Sequence, residues 1–336
     1  MHAHADRAFT VQAFRPRSLA GAVAAAAEGR AAFTAADVAA RATRLFERSV
    51  GHGVTRIRTH TDVDPIVELR SMEGVLAAKQ AIAGKIDVEV IAFATSINDL
   101  SEPDAVARLK DAVAMGANLI GASLNGSANP PLALEALLDL AEQTGLPLDL
   151  HLDEHLEPHQ MLASMVADAI IARDLQGRVT LSHLCVLGTL NEKIVGELIK
   201  KLTRAEVTVV ALPETNLFLQ DRGEGTPIRR GLTLVRELIA AGINVRLGTD
   251  NVRDWFFPFG DGDMFDTART AAVAAHLDDE AQLIAAICDG RGTLAEGDPA
   301  DLVLVRAASV DDALARRPAE RTVFKAGRQV AGQARG

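Results

Sequence analysis

The sequence has 336 residues, 48% hydrophobic and 24% charged, the balance of a globular chain long enough for one large domain and an appendage. Its 35 basic and 45 acidic residues leave a net charge of −10, which repels phosphate backbones and argues against a nucleic acid polymer as partner. Two cysteines, Cys185 and Cys288, exclude a disulfide framework and a cysteine-only metal site, and charges break every apolar run short of the roughly 20 residues of a membrane span.

The opening MHAHADRAF lacks a basic-then-apolar leader pattern, so a cytoplasmic protein is expected. His2–Ala5 reads as a short strand. Further strands are expected at 55–61, 88–94, 119–124, 146–152, 178–184, 207–212 and 243–249, where β-branched runs recur. Between them, 35–50, 66–82, 103–115, 131–143, 160–175, 190–202 and 227–240 have helical period. Gly53, Gly84, Gly116, Gly145, Gly177 and Gly242 stand just before the following strands, where helix C-cap glycines belong. Seven strands and a short eighth in βα alternation predict an α/β fold, a (β/α)8 TIM barrel. No G-x-G-x-x-G turn follows the first strands, as an open dinucleotide-binding sheet would require. After Gly292, TLAEGDPADLVLVRAAS and RTVFKAGRQVAG read as short strands with turns. The expected division is therefore a barrel over 1–292 and a small β-rich appendage over 293–336.

His2 and His4, two apart, share one face of a strand. His151 ends LPLDLHL, His183 ends RVTLSHL, and Asp250 directly follows INVRLGT. Ends of barrel strands converge at one mouth, so three or four imidazoles and one carboxylate would meet there as a site for one divalent metal. His60, in RTHTD, lies on a strand too and could be a decoy, while His52 and His276 read as structural. His155 and His159 follow on the loop after His151, and Trp255, Phe256, Phe257 and Phe259 form an aromatic cluster after Asp250 that could stack on a flat ring or pack the rim.

In order, HAHADRAF, IRTHTDVDP, EVIAF, LHLDEH, VTLSHL, ALPETNLFLQDR, the segment ending INVRLGTDNVRD, and GDPADLVLV resemble the amidohydrolase superfamily and its cytosine-deaminase-like branch, over residues 2 to about 305. The resemblance implies His2, His4, His151 and Asp250 as metal ligands, Glu154 as the proton-shuttling carboxylate, and His183 beside the activated water. Relatives with two metals carry a lysine at the end of the fourth strand. NLIGASLNG has none, which implies one divalent ion, zinc or iron, with manganese also suited. Such an ion lowers the pKa of water toward about 7. Asp250 would take the water proton and Glu154 would protonate the ring nitrogen beside the attacked carbon.

Some positions depart from the branch. Relatives begin some tens of residues before the HxH motif, with strands forming half of a small β-sandwich, so only its C-terminal half is expected here. Where cytosine deaminase has Pro-Gln to read the pyrimidine, this chain has Ala94-Thr95, and an acid after the metal aspartate is replaced by Asn251. Thr95, Asn251, Trp255 and Asn216, with Gln220, are therefore the expected substrate-binding positions, and cytosine an unfavoured substrate. The expected activity is deamination of a small amino-substituted nitrogen heterocycle. Release of an N-alkylamine from a triazine-like ring, hydrolysis of another cyclic C–N bond, or a catalytically impaired relative kept for binding or assembly stand as alternatives. A homo-oligomer is left open.

Overall fold

The computed structural model describes residues 2–11, 18–222, 225–226 and 228–332. Seven parallel strands pair in chain order: β1 (Arg56–Val63), β2 (Asp87–Ala94), β3 (Leu119–Ser123), β4 (Leu148–Leu152), β5 (Val179–His183), β6 (Thr208–Ala211) and β7 (Asn244–Leu247). The segment carrying His2 and His4 completes the ring. Ala3 bridges in parallel to Thr59 at the β1 edge and to Asp250 just beyond β7. Its N–H donates to the Arg58 carbonyl (3.0 Å), its carbonyl accepts from His60 N–H (2.8 Å), and the His2 carbonyl accepts from Asp250 N–H (2.9 Å). The expected eighth strand is thus present as a minimal one. The architecture is an α/β TIM-type barrel.

Helices wrap the sheet because their apolar positions recur at helical spacing. In α2 (Ala35–Gly51), Val38, Ala42, Leu45, Phe46 and Val50 are buried, and the Thr34 hydroxyl caps the first turn by accepting from Asp37 N–H. The circuit continues through α3 (Arg70–Ala81), α4 (Pro103–Ala114), α5 (Pro130–Thr144), α6 (Ala163–Ala172) and α7 (Glu192–Arg204), then α8 (Pro213–Leu219), α9 (Val235–Ala240), α10 (Met264–Ala274) and α11 (Glu280–Ile287). The six glycines expected at helix ends all have positive φ. At Gly145 (φ 72°) a Cβ would meet nothing within 4 Å, so the backbone conformation alone calls for glycine there.

Helix α1 (Leu19–Arg30) was not evident in the sequence pattern. It is alanine-rich with little amphipathic contrast, and buries Ala22 and Ala26 against Leu219 and Phe256. The helix expected over 227–240 is confined to Val235–Ala240. Pro227 lies outside the described residues. Residues 228–234 are drawn out of helix by tertiary bonds: Asp221 accepts from Arg229, and the Thr233 hydroxyl donates to the His183 carbonyl (2.5 Å). The helix expected from residue 66 begins at Arg70, because Asp64 accepts from the N–H groups of Ile66 and Val67 and makes a turn there.

The tail forms a separate antiparallel sheet of β8 (Leu302–Val305), β9 (Arg321–Lys325) and β10 (Arg328–Ala331), with β9 central and α12 (Val310–Arg316) between β8 and β9. Arg321 fastens it to the barrel, donating to both carboxylate oxygens of Asp263 (2.8 and 2.6 Å) and to the His52 carbonyl (2.6 Å).

The barrel lumen below its mouth is rich in polar side chains. It also holds a small apolar cluster of Ile91, Phe93 and Leu119, distinct from the main core between sheet and helices, and Val210, which pairs with Ser182 and shares its face. Gly121 makes room for the cluster, since a Cβ there would lie 2.7 Å from Ile91 Cγ2 and from the Asp149 carbonyl. Arg58, His60, Asp149 and Ser182 are joined there by hydrogen bonds.

Candidate metal centre

The site lies where the closing segment meets the C-terminal ends of β4, β5 and β7. His2, His4, His151, His183 and Asp250 are all buried there. His2 Nε2 lies 3.5 Å and His4 Nε2 3.3 Å from Asp250 Oδ1, and His151 Nε2 lies 3.2 Å from His4 Nε2. Bonds of ~2.0–2.2 Å to one tetrahedral ion place neighbouring ligand atoms about 3.3–3.6 Å apart, close to each of these three separations. The ligand atoms that all lie within 4.8 Å of one another group His2 with His4 and His60, and His2 with His151 and His183.

Protonation agrees. Burial lowers the His2 imidazole to about 3, with His60 adding to the effect and Asp250 opposing it. Burial likewise holds His4 and His151 well below the ordinary histidine range, Arg7 adding for the first and His60 for the second. For Asp250, burial acts upward but is outweighed by the close approach of the His2 and His4 imidazoles, leaving it well below the usual carboxylate range. Neutral imidazoles and an ionised carboxylate are the forms that bind metal. Neither Asp250 oxygen has a hydrogen-bond partner among the described residues, nor does His2 Nε2. A buried carboxylate without donors calls for a cation, and this donor set provides nitrogen and oxygen ligands for a divalent one.

Asp250 (φ 56°) and His183 (φ 75°) both sit in the left-handed region, a conformation costly for non-glycine residues and kept where packing over-determines it. At His183 the Thr233 hydroxyl pins the carbonyl. The His183 ring is oriented by Asn216 of α8, whose Nδ2–H donates to Nδ1 at 3.0 Å. A neutral imidazole accepting at Nδ1 carries its proton on Nε2. His183 Nε2 is buried with no partner among the described residues. Its tautomer therefore makes it a donor beside the ligand cluster. Burial lowers it to about 3, Asp250 opposing.

Glu154 follows the cluster on the β4 loop, Oε1 3.6 Å from His183 Nδ1, with its side chain 19% exposed. Withdrawal from water pushes its carboxyl well above the ordinary range, Asp250 adds to this, and Arg7 opposes it. The shift favours the protonated form of a carboxyl that lies beside His183. Its neighbour Asp153 (φ 54°) folds the loop, accepting from the N–H groups of Leu162 (2.9 Å) and Ala163 (3.0 Å) and from Asn125 (3.1 Å).

The expected substrate-binding positions are tied into the wall. The Thr95 hydroxyl donates to Asp64 Oδ2 at 3.0 Å, and Asn251 Nδ2 donates to Asp254 Oδ2 at 2.7 Å. Asn216 faces His183. Trp255 stacks on Phe33 with ring centroids 6.3 Å apart. Phe256 packs on α1 with the Arg7 guanidinium 4.4 Å above its ring, while Phe218, Phe257 and Phe259 contact one another edge to face. Gln220 Nε2 donates to the Glu154 carbonyl at 3.1 Å.

Several participants were not singled out in the sequence. Phe93 lies against His151, ring centroids 4.4 Å apart. Arg7 and Arg30 form a buried ionic ring at the mouth: Arg7 with Asp62 and Asp254, Arg30 with Asp62 (2.9 Å) and Asp64 (2.9 Å). His60, read from the sequence as a possible decoy, lies beside the cluster, its ring 4.0 Å from that of His2 and its Nε2 3.2 Å from Asp149 Oδ1. A signal for the lumen residues exists in hindsight. RTH, DLH and TLS all alternate polar residues toward one face of a strand that would ordinarily be apolar on both.

The chain is similar to known proteins. A pterin deaminase of Rhizobium rhizogenes (strain K84) is 32% identical over 344 residues, covering 98% of this chain and 78% of that protein. The crystal structure of 5-methylcytosine deaminase from Klebsiella pneumoniae liganded with 5-fluorocytosine superposes with a TM-score of 0.91 at 26% identity, over 100% of this chain and 85% of that one. N-isopropylammelide isopropylaminohydrolase from Burkholderia multivorans ATCC 17616 gives a TM-score of 0.83 at 28% identity, over 98% and 84% of the two chains. The family model described as "Amidohydrolase family" matches residues 16–331. With nearly the whole length matched and the barrel shared, the chain belongs to the amidohydrolase family, among its cytosine-deaminase-like members.

Proposed function

We propose that the protein is a metal-dependent hydrolase that deaminates an amino-substituted nitrogen heterocycle, and that a fused ring of pterin type is preferred over cytosine. One observation carries the reading: a buried carboxylate without a hydrogen-bond partner among the described residues lies 3.5 and 3.3 Å from the His2 and His4 imidazoles, and the His151 imidazole lies 3.2 Å from that of His4. His2, His4, His151 and Asp250 would hold one divalent ion, for which zinc, iron and manganese are all suitable. When bound, such an ion lowers the pKa of a water toward about 7 and supplies the nucleophile at neutral pH.

The chain's own groups do the rest. Asp250 accepts the proton of the attacking water. Glu154, protonated in its dry setting, gives its proton to the ring nitrogen beside the amino-bearing carbon, so no negative charge accumulates there. His183 Nε2–H donates to the oxygen as it bonds to that carbon. Asp250 then passes the water's proton to the amino group, which leaves as ammonia when its C–N bond breaks, and the new hydroxyl gives its proton to Glu154 as its oxygen becomes the ring carbonyl, restoring both carboxyl groups. Residues 1–292 would supply this machinery, with 293–336 as an appendage.

Substrate preference rests on the wall and the relatives. Thr95 and Asn251 have their polar atoms engaged by Asp64 and Asp254, so neither offers the paired amide contact that reads a pyrimidine edge. The pterin deaminase is also more similar in sequence than the 5-methylcytosine deaminase. The test is ammonia release from pterin, cytosine and 5-methylcytosine, and isopropylamine release from an N-isopropylated triazine, with metal content measured alongside. Pterin should lead cytosine by at least about tenfold, with about one divalent ion per chain. Glu154→Gln should keep the ion and lose turnover by ~10²-fold or more. Cytosine as best substrate overturns the ring preference, unchanged Glu154→Gln turnover overturns the acid, and a metal-free wild-type chain overturns the hydrolase reading.

A further inference from the structure

Below the ligand cluster, Asp149 of β4 and Ser182 of β5 point into the lumen and are buried, as is His2. Ser182 Oγ lies 3.0 Å from His2 Nδ1 and 3.3 Å from Asp149 Oδ1. We propose that Asp149 and Ser182 are a positioning relay that holds His2 as its Nδ1–H tautomer and thereby presents the Nε2 lone pair to the ion. This rests on the metal reading above.

The available hydrogens fix the tautomer. Asp149 is gripped by Arg58, whose Nη1 donates to Oδ2 at 2.8 Å, and by His60 Nε2 at 3.2 Å from Oδ1. Beside a guanidinium it is a carboxylate, which only accepts. Ser182 has one hydroxyl hydrogen. Donated to Asp149, it leaves the Ser182 oxygen to accept from His2, so the His2 proton must sit on Nδ1. Donated to His2 instead, it would leave the hydroxyl and carboxylate oxygens facing each other 3.3 Å apart with no hydrogen between them. The relay's base is itself fixed, because Arg58 also donates to Glu89 (3.0 Å) and Thr180 (3.3 Å).

Sheet register explains how the parts meet. His151 pairs with Ser182 and Asp149 with Thr180, so β4 brings one ligand, His151, and two residues earlier the support of another. His2 comes from a closing segment with only a bridge residue of regular pairing, and a side-chain brace supplies orientation that a longer ladder would otherwise give. His183, whose Nδ1 accepts from Asn216, is held in the opposite tautomer. Two partners of opposite hydrogen-bonding sense thus separate a ligand from a donor within one cluster of imidazoles.

The experiment uses the full chain labelled with ¹⁵N-histidine. Tautomers are read by NMR with the metal removed, and zinc and cobalt(II) affinities by chelator competition, with the cobalt absorption spectrum recorded. In the wild type, metal-free His2 should be a single Nδ1–H tautomer. Ser182→Ala should give a mixture of tautomers, weaken metal binding by about 10- to 100-fold and shift the cobalt bands. Ser182→Thr, which keeps the hydroxyl, should restore affinity to within about threefold of wild type. Asp149→Asn provides a second route, since an amide can donate and frees the Ser182 proton to turn toward His2. It should weaken binding by at least about tenfold. Wild-type affinity and tautomer in Ser182→Ala overturn the relay while leaving the metal reading intact. If Ser182→Ala does not fold, wild-type affinity and tautomer in Asp149→Asn overturn it. A wild-type chain that binds neither metal overturns the metal reading and the relay with it.

Discussion

Replacing Asn216 by aspartate should convert His183 from a donor into a further ligand. In the wild type the amide donates to His183 Nδ1 at 3.0 Å, and Nε2 carries the proton. A carboxylate at that place cannot donate. It accepts from Nδ1–H, which moves the imidazole proton and leaves a lone pair on Nε2. A hydrogen bond to a charged partner contributes about 1.5–3 kcal/mol, so the tautomer ratio should shift by roughly 10- to 150-fold. In the proposed mechanism the group lost is the donor to the developing oxygen, and removal of one such donor costs about 10²- to 10³-fold in kcat. His2, His151 and His183 already have ligand-capable atoms within 4.8 Å of one another, so metal affinity should hold or rise as turnover falls. The assay is steady-state deamination beside metal affinity for Asn216→Asp, with Asn216→Ala as control. Alanine leaves Nδ1 without a partner but does not impose the wrong tautomer, so its loss should be smaller. Turnover of Asn216→Asp within about threefold of wild type, or a larger loss in the alanine variant, would refute the tautomer argument.

Glu214 of α8, which accepts from the Thr267 hydroxyl at 2.6 Å, is raised to about 7, chiefly by burial. Its folded value exceeds its unfolded one, so the folded state binds the extra proton. Stability from this group is full below about 4.3 and declines as pH rises to about 7. Glu214→Gln should flatten that decline, with a gain on the order of 2 kcal/mol at pH 8 in urea unfolding, and an unchanged profile would count against it. Arg30→Ala should remove the guanidinium shared by Asp62 and Asp64 and destabilise the fold by about 3–5 kcal/mol, read from the urea midpoint. A loss below about 1 kcal/mol would mean that Arg7 and water neutralise the two carboxylates unaided.

The barrel was legible because its signals are local. Most strands hold β-branched residues, six of the seven returns carry a glycine at positive φ, with Glu206 in that conformation before β6, and His151, His183 and Asp250 stand where strands end. The mouth was less legible. Arg7, Arg30, Asp62, Asp64 and Asp254 are distant in sequence, and nothing in their local pattern says that they share one buried network. Asn216 and Thr95 stood out by position, but the partner that each side chain faces, His183 or Asp64, is fixed by tertiary packing. Helix α1 escaped notice because an alanine-rich stretch has almost no polar contrast between its faces.

The closing strand gives the barrel an uncommon dependence. Its regular pairing is Ala3 alone, and the residues on either side, His2 and His4, are two of the four groups that converge at the site. An ion bound there would act as a clasp on the ring. Stripping it should loosen the seam between β1 and β7 before any other part of the sheet, so hydrogen exchange at the Ala3, His60 and Asp250 amides, which donate across that seam, should quicken first. The opened molecule would present two parallel edges with free backbone groups, an invitation to pair with a second open copy. Metal starvation would then reveal itself as reversible self-association, earlier than as unfolding.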